Sequence, residues 1–217
     1  EGWRISKLKF ETKCNENVLS ENTSSSYEMK YIDIGSVTYE KGIGELQNFV
    51  FESAPSRARR IVREGDTIIS TVRTYLKAIA YIDERHDGSI CSTGFAVLQA
   101  KKNIERKFLF YSLSAPWFVA MIESESVGIS YPAITSSKLI NQSIVLPNYN
   151  EQVIIANYLD AHCNFIDQTI EKQKQMIEKL KEYKQSVITE AVTKGLNPNV
   201  PMKDSGIEWI GEIPAHW

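Results

Sequence analysis

From Glu151 to Lys194 the chain runs EQVIIANYLDAHCNFIDQTIEKQKQMIEKLKEYKQSVITEAVTK without a Gly or a Pro, and nothing else in the sequence restricts the fold as strongly. Written in heptads, one seam position holds Ala156, Cys163, Ile170, Ile177, Lys184 and Ala191, and the other holds Leu159, Ile166, Gln173, Leu180 and Val187. A 3-4 alternation of this kind keeps one face of a helix apolar, while Glu171, Lys172, Lys174, Glu178, Lys179, Lys181 and Glu182 occupy the remainder. At about 1.5 Å per residue the helix extends on the order of 65 Å, longer than a domain of this size buries against itself. Two readings follow: a rod whose seam takes a partner helix, or a long amphipathic helix folded back on its own domain. Gln173 and Lys184 interrupt the seam, a cost in stability that fixes register. Ion pairs among Glu178, Lys181 and Glu182 belong to a solvated face and contribute little. The chain has no second helix of matching length. The partner is therefore expected from another copy, another chain or a further part of the protein.

Upstream the pattern changes. Trp3, Ile5, Leu8 and Phe10 alternate as an entry strand or turn, and the Ser-rich stretch 14–26 reads as a loop. Tyr31, Ile32, Ile34 and Val37 form a strand before the turn at Gly42-Ile43-Gly44, and Phe49-Val50-Phe51 is a further apolar run. Glu64-Gly65-Asp66 is a turn into a strand at Thr67–Ser70. A second strand runs Ala78–Ile82, Asp87-Gly88 turns again, and Phe95–Leu98 is a third strand. Residues 104–123 read as helical, with Pro116 starting a second short helix. Thr135–Ile140 leads to a strand at Ser143–Leu146, Pro147 breaks it, and Asn150 or its neighbour caps the long helix. The expected architecture is an α/β (α+β) globular region with a mixed, β-rich core over residues 1–147. One long coiled-coil-forming helix follows over 148–195, then a tail over 196–217. The tail closes on Ala215-His216-Trp217 and the chain opens on Glu1-Gly2-Trp3, a match that suggests a second repeat unit beginning where this one stops. An opening Glu in place of Met suggests a trimmed chain.

Composition removes several classes. A hydrophobic content of 42% with 24% charged residues is that of a globular protein, and no run is long and apolar enough to span a membrane. Cys14, Cys91 and Cys163 lie far apart with no Cys-x-x-Cys, so neither a disulfide framework nor a zinc site is indicated, and reduced thiols in a cytoplasmic protein are the simple reading. A formal net charge of -2 argues against a uniformly basic surface but leaves room for a local basic patch.

No catalytic constellation emerges. His86, His162 and His216 are isolated, and phosphate-loop, dinucleotide and nucleophile-elbow patterns are missing. Asn197-Pro198-Asn199 lacks the aromatic partner that a base-flipping site needs. Glu182-Tyr183-Lys184 has nuclease-like spacing but no preceding Pro-Asp. No cofactor or metal is expected. Basic and hydroxyl side chains do gather in four places. Arg57, Arg59, Arg60 and Arg63 form the first, and Arg73, Tyr75 and Lys77 the second. Lys101, Lys102, Arg106 and Lys107 form the third, and Ser130, Tyr131, Ser136, Ser137 and Lys138 the fourth. Guanidinium groups bridge phosphates or grip guanine bidentately, so such clusters suit loops that face a DNA groove. Each cluster taken singly is also what a solvated charged face looks like.

Several segments together resemble the specificity subunits of type I restriction-modification systems. Gly65–Arg73 and Cys91–Leu98 look like central segments of that family's target recognition domain. Leu146-Pro147, then Glu151-Gln152 and Ile154–Asp160, is similar to its most recognisable stretch. Ile177–Ile188 resembles the later part of its helix, and Trp209–Trp217 the start of a second recognition domain. The resemblance implies a non-enzymatic subunit that binds double-stranded DNA. In it two such helices pair antiparallel and set the distance between half-sites. Methylation subunits, which bind the methyl donor, surround these helices, and a motor-nuclease restriction subunit joins them. This chain carries one domain and one helix, which fits either part of a two-domain subunit or a half-length subunit acting as an antiparallel homodimer. The DNA-facing residues expected are Arg57, Arg59, Arg60, Arg63, Arg73, Tyr75, Lys77, Ser130, Tyr131, Ser136 and Lys138. The helix-pairing residues expected are Leu159, Cys163, Ile166, Ile170, Ile177, Leu180 and Val187. The rival reading is a coiled-coil scaffold whose globular head binds protein.

Overall fold

The computed structural model describes residues 2–217. Its strands are β1 (Arg4–Lys7), β2 (Thr12–Cys14), β3 (Glu28–Ile32), β4 (Val37–Thr38), β5 (Gly42–Ile43), β6 (Gln47–Val50) and β7 (Ala58–Ile61). There follow β8 (Thr67–Ser70), β9 (Ile79–Tyr81), β10 (Ile90–Ser92), β11 (Phe95–Ala100), β12 (Ser143–Leu146), β13 (Met202–Asp204) and β14 (Glu212–Pro214). The helices are α1 (Leu8–Glu11), α2 (Arg106–Ser114), α3 (Pro116–Glu125), α4 (Ser136–Ile140) and α5 (Tyr149–Lys194). Two compact units result, one ending at Leu159 and the other covering Asp160–Trp217. The β-rich domain followed by one long helix is the architecture expected from the sequence.

In the first unit, one sheet has the order β2-β11-β8-β9, all antiparallel, with Phe95 opposite Ser70 and Thr67 opposite Tyr81. Its two faces divide by strand alternation: Ile69, Ala96 and Leu98 pack with Phe108, Leu109, Leu113, Phe118 and Ile122 of α2 and α3. Ile68, Phe95 and Val97 pack on the opposite face with Ile32, Val62, Ile82 and Cys91. Covered on both faces, Ile68-Ile69 of β8 and Phe95–Leu98 of β11 have no polar alternation, which is why they read as short apolar runs. A second sheet has the order β6-β3-β10-β7, in which β10 runs parallel to β3 and antiparallel to β7. The turn feeding β8 needs its glycine. Gly65 has φ +88°, and a Cβ there would lie 2.5 Å from Cδ of Arg106.

Two local expectations change, and one segment left open by the sequence takes a definite form. The entry strand stops at Lys7, because Leu8, fully buried, turns the chain into α1. Thr135–Ile140 leads to β12 as a short helix: Thr135 Oγ1 accepts the Lys138 N–H at 3.2 Å and starts α4, whose Leu139 is buried. The cap of α5 is Asn148 and not Asn150; its Oδ1 accepts the Glu151 N–H at 3.0 Å, and the helix begins at Tyr149.

The first unit begins and ends at one place. β1 pairs antiparallel with β12, setting Arg4 opposite Leu146, and the Trp3 indole donates to Glu151 at 3.1 Å. Next to this closure Gln152 is 1% exposed, and its amide is fully engaged. Its Oε1 accepts the Glu105 N–H at 2.9 Å, and its Nε2 donates to the carbonyls of Pro147 at 2.9 Å and Asn103 at 3.2 Å. Gln152 thus ties the start of α5 to the segment entering α2. In the second unit β13 and β14 form a hairpin beyond the helix end, Lys203 Nζ donates to the Trp217 carbonyl, and a Cβ on Gly195 would lie 3.4 Å from the Trp217 ring.

Gln152→Leu keeps the volume but strands a buried N–H and two carbonyls, and should cost about 3 kcal/mol, lowering the melting temperature by roughly 10 °C in thermal unfolding. A loss of about 1 °C or less would show that water replaces the amide at no cost.

Candidate nucleic-acid interface

β8 ends at Ser70, and the chain then makes a short excursion to Lys77 before returning as β9. This excursion is bound to a second loop, residues 126–134, between α3 and α4. The Arg73 N–H donates to the Pro132 carbonyl at 2.8 Å, and the Ile134 N–H to the Thr71 carbonyl at 2.8 Å. Val72 and Val127 each bridge to Ala133, and the hydroxyls of Thr74 and Ser126 lie 2.9 Å apart. On the far side, the N–H and hydroxyl of Thr71 donate to the Gly94 carbonyl at 2.8 and 2.9 Å. The second cluster and the Ser130-Tyr131 part of the fourth, fifty residues or more apart, are therefore one surface. Its clearest contact sets the Arg73 guanidinium 4.9 Å from the centre of the Tyr131 ring.

The backbone here is strained. Arg73 and Lys77, at the two ends of the turn Thr74–Leu76, both sit at φ +51°, a left-handed conformation that costs an L-residue energy. Such strain persists where surrounding bonds over-determine it, and it gathers at functional sites. Tyr75, Lys77, Ser130 and Tyr131 are exposed, as are Val127 and Ile129.

The other clusters separate. Arg57 is exposed, just before β7. Strand alternation turns Arg59 and Arg60 to opposite faces of β7. The Arg59 guanidinium lies 4.8 Å from the centre of the Phe51 ring. Arg60 is half-buried, with Nη1 buried and without a hydrogen-bond partner. Burial pushes its pKa down, while nearby Cys91 and Cys14 push it up. Burial likewise raises the Cys91 thiol to about 12, which makes it inert. Arg63 faces Asp87 at 3.7 Å. Lys138 is engaged by Glu125, whose carboxylate lies at 2.5 Å and whose carbonyl accepts at 2.9 Å. Ser136 Oγ accepts from Asn15 Nδ2 at 3.2 Å. In the third cluster, Lys101 donates to the carbonyls of Lys9 and Phe10, and Lys107 lies 5.9 Å from the centre of the Tyr81 ring. The sequence reading passed over Ile129, the most exposed large apolar residue in the chain at 103%. Its signal was the apolar alternation Val127, Ile129, Tyr131 around Gly128 in a loop.

The pairing residues expected on α5 are open along the second unit. Ile166, Ile170, Ile177, Leu180 and Val187 are each about half exposed and Cys163 is exposed, while Leu159 is half-buried. Met176, Tyr183 and Ile188 are exposed as well and flank the seam, which widens the stripe, while Phe165 is exposed on the side away from it. Lys181 reaches Glu178 at 2.7 Å, but both side chains are about two-thirds exposed, so the pair contributes little. Among the described residues no group of His, Cys, Asp or Glu is placed to hold a metal ion, and no helix is long and apolar enough to cross a membrane.

Residues 1–182 match the model of the type I restriction modification DNA specificity domain. The chain is 33% identical over 130 residues to the MjaVIII specificity subunit, a type I restriction enzyme subunit of Methanocaldococcus jannaschii; the match covers 60% of this chain and 28% of that one. It is 25% identical over 163 residues to the HindI specificity subunit of Haemophilus influenzae, over 72% of this chain and 34% of that one. The crystal structure of the HsdS subunit from Thermoanaerobacter tengcongensis superposes with a TM-score of 0.72 at 29% identity, over 92% of this chain and 52% of that one. The matched part is thus about a third of each curated relative and about half of the solved subunit.

Lys77→Gly removes the cost of the left-handed backbone and adds unfolded-state entropy, so it should leave stability unchanged or raise it by up to about 1 kcal/mol in urea unfolding, where Lys77→Ala gives no gain. Equal losses for both substitutions would show that the turn carries no strain.

Proposed function

The chain belongs to the family of type I restriction modification DNA specificity domains, and on that premise we propose that its β-rich head is a non-catalytic reader of a specific double-stranded DNA sequence. The observation that carries this reading is the joining of the 71–77 and 126–134 loops into one braced, exposed surface bearing Arg73, Tyr75, Lys77, Ser130 and Tyr131. Side chains held on a stiff frame lose little freedom on binding, and planar Arg and Tyr groups suit phosphates and base edges. Arg57 and Arg59 extend the basic surface. Arg60, Ser136 and Lys138 are better understood as parts of the folded frame, given their burial or existing partners.

In the same proposal α5 is a spacer whose open seam takes a second helix. Support comes from the way the head closes on itself at β1, β12 and Glu151. A second tryptophan, Trp217, lies beside Gly195, just past the helix end. A second head entering there and closing in the same manner would send its own helix back along the first. An antiparallel pair results, within one longer subunit or between two copies. The heads then read a two-part site, and methylation and restriction subunits assemble around the helices in the cytoplasm.

Mapping methylated positions in DNA from cells carrying the intact system identifies the site. Binding to a duplex bearing it should fall steeply as salt rises, and Arg73→Ala should weaken it by roughly 10-fold or more. Unchanged affinity for both cognate and random duplex would remove Arg73 from the interface. For the seam, Ile177→Asp should shift the purified chain from dimer to monomer by light scattering; a parent that is already monomeric at high concentration would rule out self-pairing.

A further inference from the structure

We propose that Ile129 reads a thymine by packing against its C5-methyl group in the major groove, a reading that rests on the head being a DNA reader. Ile129 is wholly exposed, and Val127 and Tyr131, at alternate positions of the same loop, are 76% and 65% exposed. The loop presents these side chains on a fixed base. Val127 and Ala133 exchange backbone hydrogen bonds at 2.9 and 3.0 Å, and Ile134 is bound to Thr71. Gly128, at φ +121°, makes the bend immediately before Ile129, where a Cβ would lie 3.1 Å from the Tyr131 carbonyl oxygen. An isoleucine side chain is stiff at χ1 as well, so the apolar tip is presented with little freedom.

Its surroundings define what it meets. The Arg73 guanidinium lies over Tyr131, and Lys77 closes the turn held against this loop. A surface with cationic flanks and an apolar tip complements a polyanion that displays an apolar group between its phosphates. On the edges of duplex base pairs that group is the thymine methyl, in the major groove. The alternative for an apolar tip in DNA is a wedge between base steps. The apolar burial that one isoleucine offers is comparable with the cost of unstacking a step and leaves little surplus, whereas the methyl contact unstacks nothing and is favoured.

The test uses the protein purified from its own cells with the subunits that accompany it, and a duplex carrying the site found by methylation mapping. In a set of duplexes each thymine in turn is replaced by uracil, which removes only the methyl group. One replacement should weaken binding by the parent roughly 3- to 10-fold and should leave Ile129→Ala unaffected, and that variant should bind the thymine duplex more weakly by a similar factor. An unchanged melting temperature for Ile129→Ala separates this effect from misfolding. A parent indifferent to every uracil, or a sensitive position that is equally sensitive in Ile129→Ala, overturns the inference while leaving the DNA-reader proposal in place. Equal affinity of the parent for cognate and random duplex overturns both.

Discussion

The buried amide of Gln152 is the constraint on which the organisation of the head depends. A primary amide has two donors and one carbonyl acceptor, and taken out of water it must find partners for them. Here the partners are the Glu105 N–H and the carbonyls of Asn103 and Pro147, groups at the entry of α2 and the exit of β12. A long amphipathic helix has no intrinsic reason to begin at a given place on a globular domain. Three bonds to one side chain, with the Asn148 cap and the Trp3 contact to Glu151 beside it, supply that reason. The two ends of the first unit meet there.

The packed core and the loops proposed to face DNA occupy different parts of the head. The sheet β2-β11-β8-β9 is packed on both faces and tolerates little change in volume. The two loops beyond Ser70 and Glu125 contribute no strand to it. Backbone hydrogen bonds brace them at Thr71, Arg73, Val127 and Ile134, which leaves the side chains at Tyr75, Lys77, Ile129 and Ser130 exposed. Of the two left-handed residues, Arg73 is tied to the second loop through Pro132, and Lys77 closes its own turn onto the Thr74 carbonyl. Side chains on such loops can be exchanged without repacking the core, which suits the proposed role in reading DNA.

How far the sequence revealed this follows from the range of each interaction. The long helix and the central strands were legible, because periodicity and turn residues act within a few positions. The pair Glu151-Gln152 was recognisable as a pattern, yet its purpose was hidden, since two of the amide's three partners lie 47 and 49 residues away. The cap was misplaced by two residues because Asn148 and Asn150 carry the same side chain and only backbone geometry separates them. Charge clusters were the least reliable guide. Arg59 and Arg60 are neighbours in sequence but opposite in the strand, and Lys138 is taken by Glu125, thirteen residues before it. Conversely, the approach of Arg73 to Tyr131 joined two clusters that the sequence kept apart.

Under the proposed pairing, the polar seam positions Gln173 and Lys184 acquire a role that stability alone does not explain. An unbroken apolar seam would hold a partner more tightly but would do so almost equally well after slipping by one heptad. Such a slip moves one helix along the other by about 10 Å, which is close to the length of three base pairs of duplex. A reader with two heads on a common spacer would then confuse sites that differ only in the separation of their halves. Placing a polar group at selected seam positions costs pairing energy in every register but least in the one where the polar groups find partners. Fidelity in spacing and strength of pairing therefore oppose each other along α5, and the interrupted seam favours fidelity.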